Sequence, residues 1–388
     1  MREKLEFQYY ISMKLTILSD LLRDHLQLVA KVIGGKGLAI MEFALVEVKG
    51  EKMSLTATDG ETRICSHVDL SSKEGEDMSF CVRVRQLVEP LREIPNQMIQ
   101  FELNTEDYEL HGKYNNGFFS FPVIKGEDFP EVQSLGDEGL KVKMPIANFY
   151  EGLDNTVYAT TVDDVRPIMT GVHVDIRPEH ITFVATNGFL LSYYRHSMLE
   201  LNVSEQHRYT LHKKPVQLLL QVLSKSDDGD IELEFHPNFA LFKTETLELQ
   251  CRLLEGKYPN YETVIPKDND KLLEADRLQL LAATRRVAVF ANKAMGLINF
   301  DFSPSELVLK ATDQDFSTKA EEAVPVSFSA PEARFSFRAE HLIQLLTVMP
   351  SETISMRIGD ASRAALVTPI GGEAGVEIVV AVMPLVYG

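Results

Sequence analysis

The feature that most constrains this chain is an internal repeat. MSLTATDG runs from Met53 to Gly60, ITFVATNG from Ile181 to Gly188, and LVLKATDQ from Leu307 to Gln314. Their Ala-Thr steps begin at Ala57, Ala185 and Ala311, spaced 128 and 126 residues. Three further anchors keep nearly the same period. An aromatic opening an alternating stretch falls at Phe80, Tyr209 and Phe335, a polar helix-start position at Asp20, Asn148 and Asp276, and a strand-ending proline at Pro130, Pro259 and Pro384. A common turn sequence would not impose a shared period on four unrelated anchors. The period is too long for a solenoid unit of roughly 20–50 residues and is the size of a domain. The chain therefore reads as three copies of one domain, at residues 13–135, 138–264 and 265–388.

Each copy opens on a short strand and then a helical pattern. In the first, Leu22, Leu26, Val29 and Ile33 share one helix face, with Ser19 placed as its cap. Leu278, Leu281 and Ala282 start the matching face of the third copy. Strands that alternate and end in polar turns follow, then a second helix, whose stripe in the third copy is Leu342, Leu345, Leu346 and Met349. Pro90 falls inside the second helix of the first copy, where it should kink or shorten it. The expected fold class is α+β: two helices and about eight antiparallel strands per copy, with the helices on one face of the sheet.

Composition excludes more than it selects. The three cysteines, Cys65, Cys81 and Cys251, form no CxxC pair, and the histidines show no metal-ligand spacing. This points to a reducing cytoplasm and to no metal or cofactor. No apolar run reaches the roughly 18 residues of a membrane span, and MREKLEFQYYIS lacks the apolar core of a signal peptide. The net charge of −18 argues against nucleic acid as a partner, unless charge is unevenly placed. It is: the six helical segments sum to +5 and the remainder to −23. Gly34–Gly37 (GGKG) is too short for a phosphate loop and follows a helix instead of a strand. No carboxylate pair recurs in all three copies.

Several stretches resemble the β subunit of bacterial DNA polymerase III, the sliding-clamp family. LLEGKYPNYETVIP (Leu253–Pro266) is similar to its linker between second and third domains, and ATNGFLL (Ala185–Leu191) to its Ala-Thr-Asp-Gly-His-Arg-Leu turn. VMPL (Val382–Leu385) resembles its C-terminal segment, and MKLTI (Met13–Ile17) its N-terminus, which implies that residues 1–12 are an N-terminal extension or an upstream start with no assigned role. The chain departs from the family at Phe189 and Leu190, which stand for His and Arg, at Thr263 where many members carry Arg, at Asp163, and in its ValTyrGly tail.

The resemblance implies a non-catalytic processivity factor. Two chains would close head to tail into a six-domain ring lined by helices. The ring would encircle double-stranded DNA without sequence preference. Implied partners are the clamp loader, the replicative polymerase catalytic subunit, and other DNA polymerases and repair proteins carrying a short clamp-binding motif. The implied motif pocket comprises Met169, Thr186, Gly188, Phe189, Leu190, Leu191, Pro259, Thr263, Val264, Ala364, Ala381, Met383, Pro384 and Leu385. Arg23, Lys36, Lys213, Lys214, Lys225, Arg285 and Arg286 are the candidates for facing DNA, and Val289 and Phe290 for the dimer interface. Two other classes stay open on sequence alone: a β-rich carbohydrate-processing enzyme, which needs a carboxylate pair at a cleft, and a DNA-independent peptide-binding scaffold.

Overall fold

A computed structural model describes residues 11–34, 39–131, 139–162, 165–224 and 229–385, with side chains from Met13. It divides into two compact units. The first holds the residues up to Lys143 together with Gly229–Arg252, and the second holds Met144–Asp228 with Leu253 onward.

One pattern of elements recurs three times: strand, helix, three strands, then the same again. In the third copy it runs Lys271–Asp276, helix α5 (Arg277–Ala288), Leu297–Phe302, Glu306–Asp313 and Thr318–Phe328, then Ala333–Arg338, helix α6 (Ala339–Val348), Thr353–Ile358, Ala365–Pro369 and Val376–Val382. The first copy places α1 (Ser19–Ala30) and α2 (Val84–Glu93) at the equivalent points, and the second places α3 (Ile146–Val157) and α4 (Lys213–Leu223). The first copy adds two short strands, Ser72–Gly75 and Ile124–Lys125.

The register explains which repeat anchors are structural. Ala57, Ala185 and Ala311 are each the sixth residue of equivalent strands, and all three are buried. Phe80, Tyr209 and Phe335 are each the third residue of the strand entering the second helix. The polar anchors are not equivalent. Asp276 caps α5, its Oδ1 accepting from Gln279 N at 2.7 Å, whereas Asp20 and Asn148 lie inside their helices. Of the three prolines, only Pro384 stands within two residues of a strand's end; Pro130 and Pro259 lie in linkers.

In the first unit, Gly117–Pro122 forms one edge of a five-stranded sheet, and a nine-stranded sheet runs from Ile124–Lys125 to Leu140–Pro145. Within the larger sheet Thr62–Asp69 pairs antiparallel with Leu247–Arg252, so strands of the second repeat continue the sheet of the first. In the second unit a twelve-stranded sheet is made continuous by Leu190–His196 pairing with Val376–Val382.

The helices lie pairwise on these sheets, α1 beside α2, α3 beside α4 and α5 beside α6. Leu22, Leu26 and Val29 are buried as their spacing requires, while Ile33 lies beyond the end of α1 and is half-buried. Ser19 does not cap α1. It is the first helical residue and is fully buried, and its hydroxyl donates to Pro95 O and accepts from Gln97 N. Pro90 is accommodated three residues from the end of α2, and Ile94 N closes on its carbonyl at 3.1 Å. The buried face of α5 is Leu280, Leu281, Ala283, Thr284 and Val287, and Leu278 points to solvent. The α6 stripe of Leu342, Leu345, Leu346 and Met349 is buried as expected.

Candidate functional site

The second unit carries a cavity of about 590 Å³, built from four separated stretches and one 3-10 turn. The first stretch is the turn after His180–Thr186. Asn187 Oδ1 accepts from Phe189 N at 2.9 Å and Leu190 N at 2.8 Å, and Thr186 Oγ1 donates to Leu190 O and accepts from Gly188 N. The turn needs a left-handed residue, and Gly188 supplies it with φ +92°. A side chain there would also meet the Arg166 guanidinium at 3.3 Å.

The second stretch is the linker Leu253–Pro266, fixed by two buried tyrosines. The Tyr258 ring stacks on His173 with centroids 4.3 Å apart. Tyr261 donates to Asp175 Oδ2 at 2.9 Å. Asp175 is fully buried and also accepts from Arg177 and Gln206. Burial works to raise the Asp175 pKa, yet these hydrogen bonds and the Arg177 charge outweigh it and hold the carboxyl below its ordinary value. Burial depresses His173 to about 4, with Arg208 adding to the effect and Asp175 opposing it, so the stacked imidazole is neutral.

The third and fourth stretches are residues 381–383, at the end of the last strand, and Ser362–Ala364. Met383 N donates to Phe189 O at 2.8 Å, which locks the last strand against the turn. Beneath the cavity, Val184, Leu191, Tyr193, Tyr258, Tyr261, Ala364, Val379 and Ala381 form one apolar cluster, with Met383 packed against it.

The result is an apolar floor with a mixed rim. Met169, Leu190, Leu191, Ala364 and Ala381 are buried, while Phe189 and Val264 are 47% and 57% exposed. The Phe189 ring lies under Arg338 at 5.3 Å and stacks loosely on His341 at 6.5 Å. Burial, with the Arg338 charge, lowers the His341 pKa, and Glu340 works the other way. Asp268 pairs with Arg363 at 2.6 Å on another side.

Twelve of the fourteen pocket positions read from sequence line this cavity. Pro384 and Leu385 do not. Leu385 N donates to Ser336 O at 2.7 Å, so the tail turns away and pairs with Ala333–Arg338. Sequence reading missed Arg166, Asn260, Tyr261, Pro266, Asp268, Ser362 and Arg363. Tyr261 sits within the linker segment already singled out, whereas nothing local marks Arg166 or Arg363.

The basic candidates are scattered. Arg23 on α1 is held by Asp20 at 2.7 Å and Asp24 at 3.2 Å, and Arg286 on α5 by Glu322. Arg285 donates to Thr347 Oγ1. Lys213 and Lys214 open α4, half-buried and exposed. Lys36, Lys225 and Asp163 fall outside the described residues. The observed helix bounds change the charge pattern: α5 carries +3 and α4 +2, but α1, α3 and α6 are negative, so much of the positive bias sits in flanking residues. Val289 and Phe290, at the end of α5, are 77% and 40% exposed. Among the described residues no group of three or more His, Cys, Asp or Glu side chains could hold a metal ion.

Family models of the DNA polymerase III beta subunit match the chain in order. The N-terminal domain model covers residues 13–133, the central one 143–260 and the C-terminal one 262–384. The chain belongs to the DNA polymerase III beta subunit family. The beta sliding clamp of Pseudomonas aeruginosa is 27% identical over 360 residues, 92% of this chain and 95% of that one. The Escherichia coli beta sliding clamp is 23% identical over 95% of this chain and 99% of its own. A crystal structure of the P. aeruginosa DNA polymerase sliding clamp superposes with a TM-score of 0.87 at 26% identity, covering 97% of this chain and all of that one. The Thermotoga maritima beta subunit shares the fold, with a TM-score of 0.85 at 20% identity and the same coverage. This member of the beta subunit family is thus three tandem clamp domains and a non-catalytic accessory subunit of DNA replication. The carbohydrate-processing alternative falls with that assignment.

Proposed function

We propose that two copies of this chain close head to tail into a ring around duplex DNA. The ring would hold the replicative polymerase there through the 590 Å³ cavity. The carrying observation is how one domain joins the next. Twice, the fourth strand of one repeat pairs with the last strand of the following one: Thr62–Asp69 with Leu247–Arg252, and Leu190–His196 with Val376–Val382. The third equivalent strand, Thr318–Phe328, pairs outward only at its end, so residues 318–325 leave one edge open among the described residues. The equivalent strand of the first repeat, Gly117–Pro122, is likewise a free edge among the described residues, and its Phe118 is 74% exposed. Unpaired edges recruit strands, and these two are the complementary halves of a join the chain makes twice within itself. Val289 and Phe290 add exposed apolar area suited to the centre of such an interface.

The cavity suits a short linear segment bearing Leu and Phe side chains, since burying each contributes about 1.5–3 kcal/mol before ordering costs. Met383 fits varied ligands because its side chain is unbranched and polarizable. The polymerase, the clamp loader and repair proteins would all dock by such a segment. The domain limits 13–135, 138–264 and 265–388 belong to this reading. Titrating a Gln-Leu-Ser-Leu-Phe peptide against the intact chain and a chain cut after Val382 tests the pocket. Saturable binding lost on truncation is expected; equal affinity for both chains overturns it.

A further inference from the structure

A second, smaller cavity of about 220 Å³ lies in the first unit, and it repeats the first one position by position. Met41 is the third residue of the 3-10 turn Ala39–Glu42, as Met169 is of Pro167–Thr170. Thr58 and Gly60 form the same turn as Thr186 and Gly188, with φ +93° and +92° at the glycines. Pro130 stands in its linker as Pro259 does in the other.

Strand register extends the match to the floor. Cys251 pairs with Thr62 where Val382 pairs with Leu190. That sets Arg63 where the other cavity has Leu191, Gln250 where it has Ala381, and Arg252 where it has Met383. Phe239 pairs with Arg252 and so takes the place of Ala364. The same architecture therefore carries different chemistry. An aliphatic floor has become a cross-strand Arg63–Gln250 pair, while Phe129 and Phe239 keep the walls apolar.

Arg63 brings a guanidinium cation to the cavity lining, while its Nε is buried without a hydrogen-bond partner among the described residues. Beside it, the Gln250 amide is a second donor on the facing strand. A carboxylate oxygen pair matches a guanidinium and an amide together. Two acidic residues, Glu61 and Glu131, also line the cavity, but both are exposed at its rim. They restrict the floor to a single carboxylate rather than an acidic run.

We propose that this first-unit cavity is a second peptide-docking site, selecting an extended segment that carries one carboxylate beside an apolar side chain. The carboxylate sits on Arg63 and Gln250, and the apolar neighbour lies between Phe129, Phe239 and Met41. The peptide class rests on reading the second-unit cavity as a peptide groove, while the preference for a carboxylate rests on Arg63 and Gln250 alone.

The test is fluorescence anisotropy on the full chain with two labelled peptides, Ser-Asp-Leu-Phe-Ser and Gln-Leu-Ser-Leu-Phe. Variants are Arg63→Met, Gln250→Leu and Met383→Ala, with thermal melts confirming that each folds. The Asp peptide is expected to bind saturably and to weaken about tenfold or more with Arg63→Met. Gln250→Leu should weaken it less, and Met383→Ala should leave it unchanged. Unlabelled Gln-Leu-Ser-Leu-Phe should not displace it. If Arg63→Met fails to fold, an Asn-for-Asp peptide replaces it and is expected to bind about tenfold more weakly. The proposal is overturned if the Asp peptide shows no saturation at millimolar concentration. It is equally overturned if the Asp peptide ignores Arg63→Met and Gln250→Leu alike, or if inorganic phosphate displaces it as well as the unlabelled Asp peptide does. Failure of the Gln-Leu-Ser-Leu-Phe peptide to bind any chain would instead remove the second-unit groove, so the two readings fail separately.

Discussion

His173 lies flat against Tyr258 beneath the linker, and its neutrality is a condition of that packing. Burial takes its pKa from 6.5 to about 4. Because the folded value is the lower one, the unfolded chain takes up the proton first as pH falls. The stability that neutral His173 supplies is thus complete above about pH 6.5 and is lost as pH drops through 4. Asp175 is also depressed, so its contribution fades at still lower pH, in the same direction. Between pH 7.5 and pH 5, the His173 part amounts to roughly 2 kcal/mol. Urea melts should show the parent chain losing about that much more stability over this range than His173→Phe, which keeps a ring for Tyr258 but cannot titrate. Parallel slopes would disprove it. The three cysteines are inert on similar grounds: all are buried, and burial raises Cys81 and Cys251 to about 12. A native chain should leave a thiol-reactive dye unreacted for as long as it stays folded. Rapid labelling at neutral pH would contradict the packing.

Helix α3 seats on its sheet through a missing side chain. At Gly152 a Cβ would come within 2.3 Å of the Phe183 ring, which is itself packed edge-on against Phe149 at 5.8 Å. Gly152→Val should therefore cost about 1–3 kcal/mol by overpacking, although valine disfavours a helix less than glycine does. A Tm unchanged by the substitution would mean that α3 shifts freely. How legible an element is from sequence depends on whether its signal is local. The Ala-Thr and aromatic anchors mark equivalent strand positions because a buried small residue and a ring packed at least half into the core are dictated by the sheet itself. The polar helix-start anchor failed because Ser, Asp and Asn serve several ends. Asp276 caps, Asp20 holds Arg23, and Ser19 bridges to Pro95 and Gln97, 76 and 78 residues away. Twelve positions that line the cavity could be named only through the family resemblance, ten of them in the turn, the linker and the last strand and its end. Arg166 and Arg363 were not, because only the folded sheet brings their backbones to the cavity.

The proposed ring rests on two strand edges left open among the described residues. If Thr318–Val324 pairs with Gly117–Pro122 of a second copy, then Ser120→Pro removes an edge N–H and should give a folded monomer. Val289→Ala with Phe290→Ala should do the same by removing the apolar centre. Both residues are exposed in the single chain, so its own stability should barely change. Light scattering reporting an unchanged dimer, or a loss of fold in either variant, would count against the ring. A closed ring makes a stronger demand than affinity can meet. The chain carries −18, and Arg23 and Arg286 are already paired with its own carboxylates. Direct phosphate contacts must therefore be few, and equilibrium binding to a short open duplex should be weak, falling steeply with salt. Retention on a closed circle has a different origin, because a ring cannot leave without opening. Loaded onto nicked circular DNA, the protein should stay bound through a high-salt wash, then be released by a single cut that linearises the circle. Loss from the intact circle at the salt that strips the short duplex would mean the chain holds DNA by charge alone, and the ring would have to be abandoned.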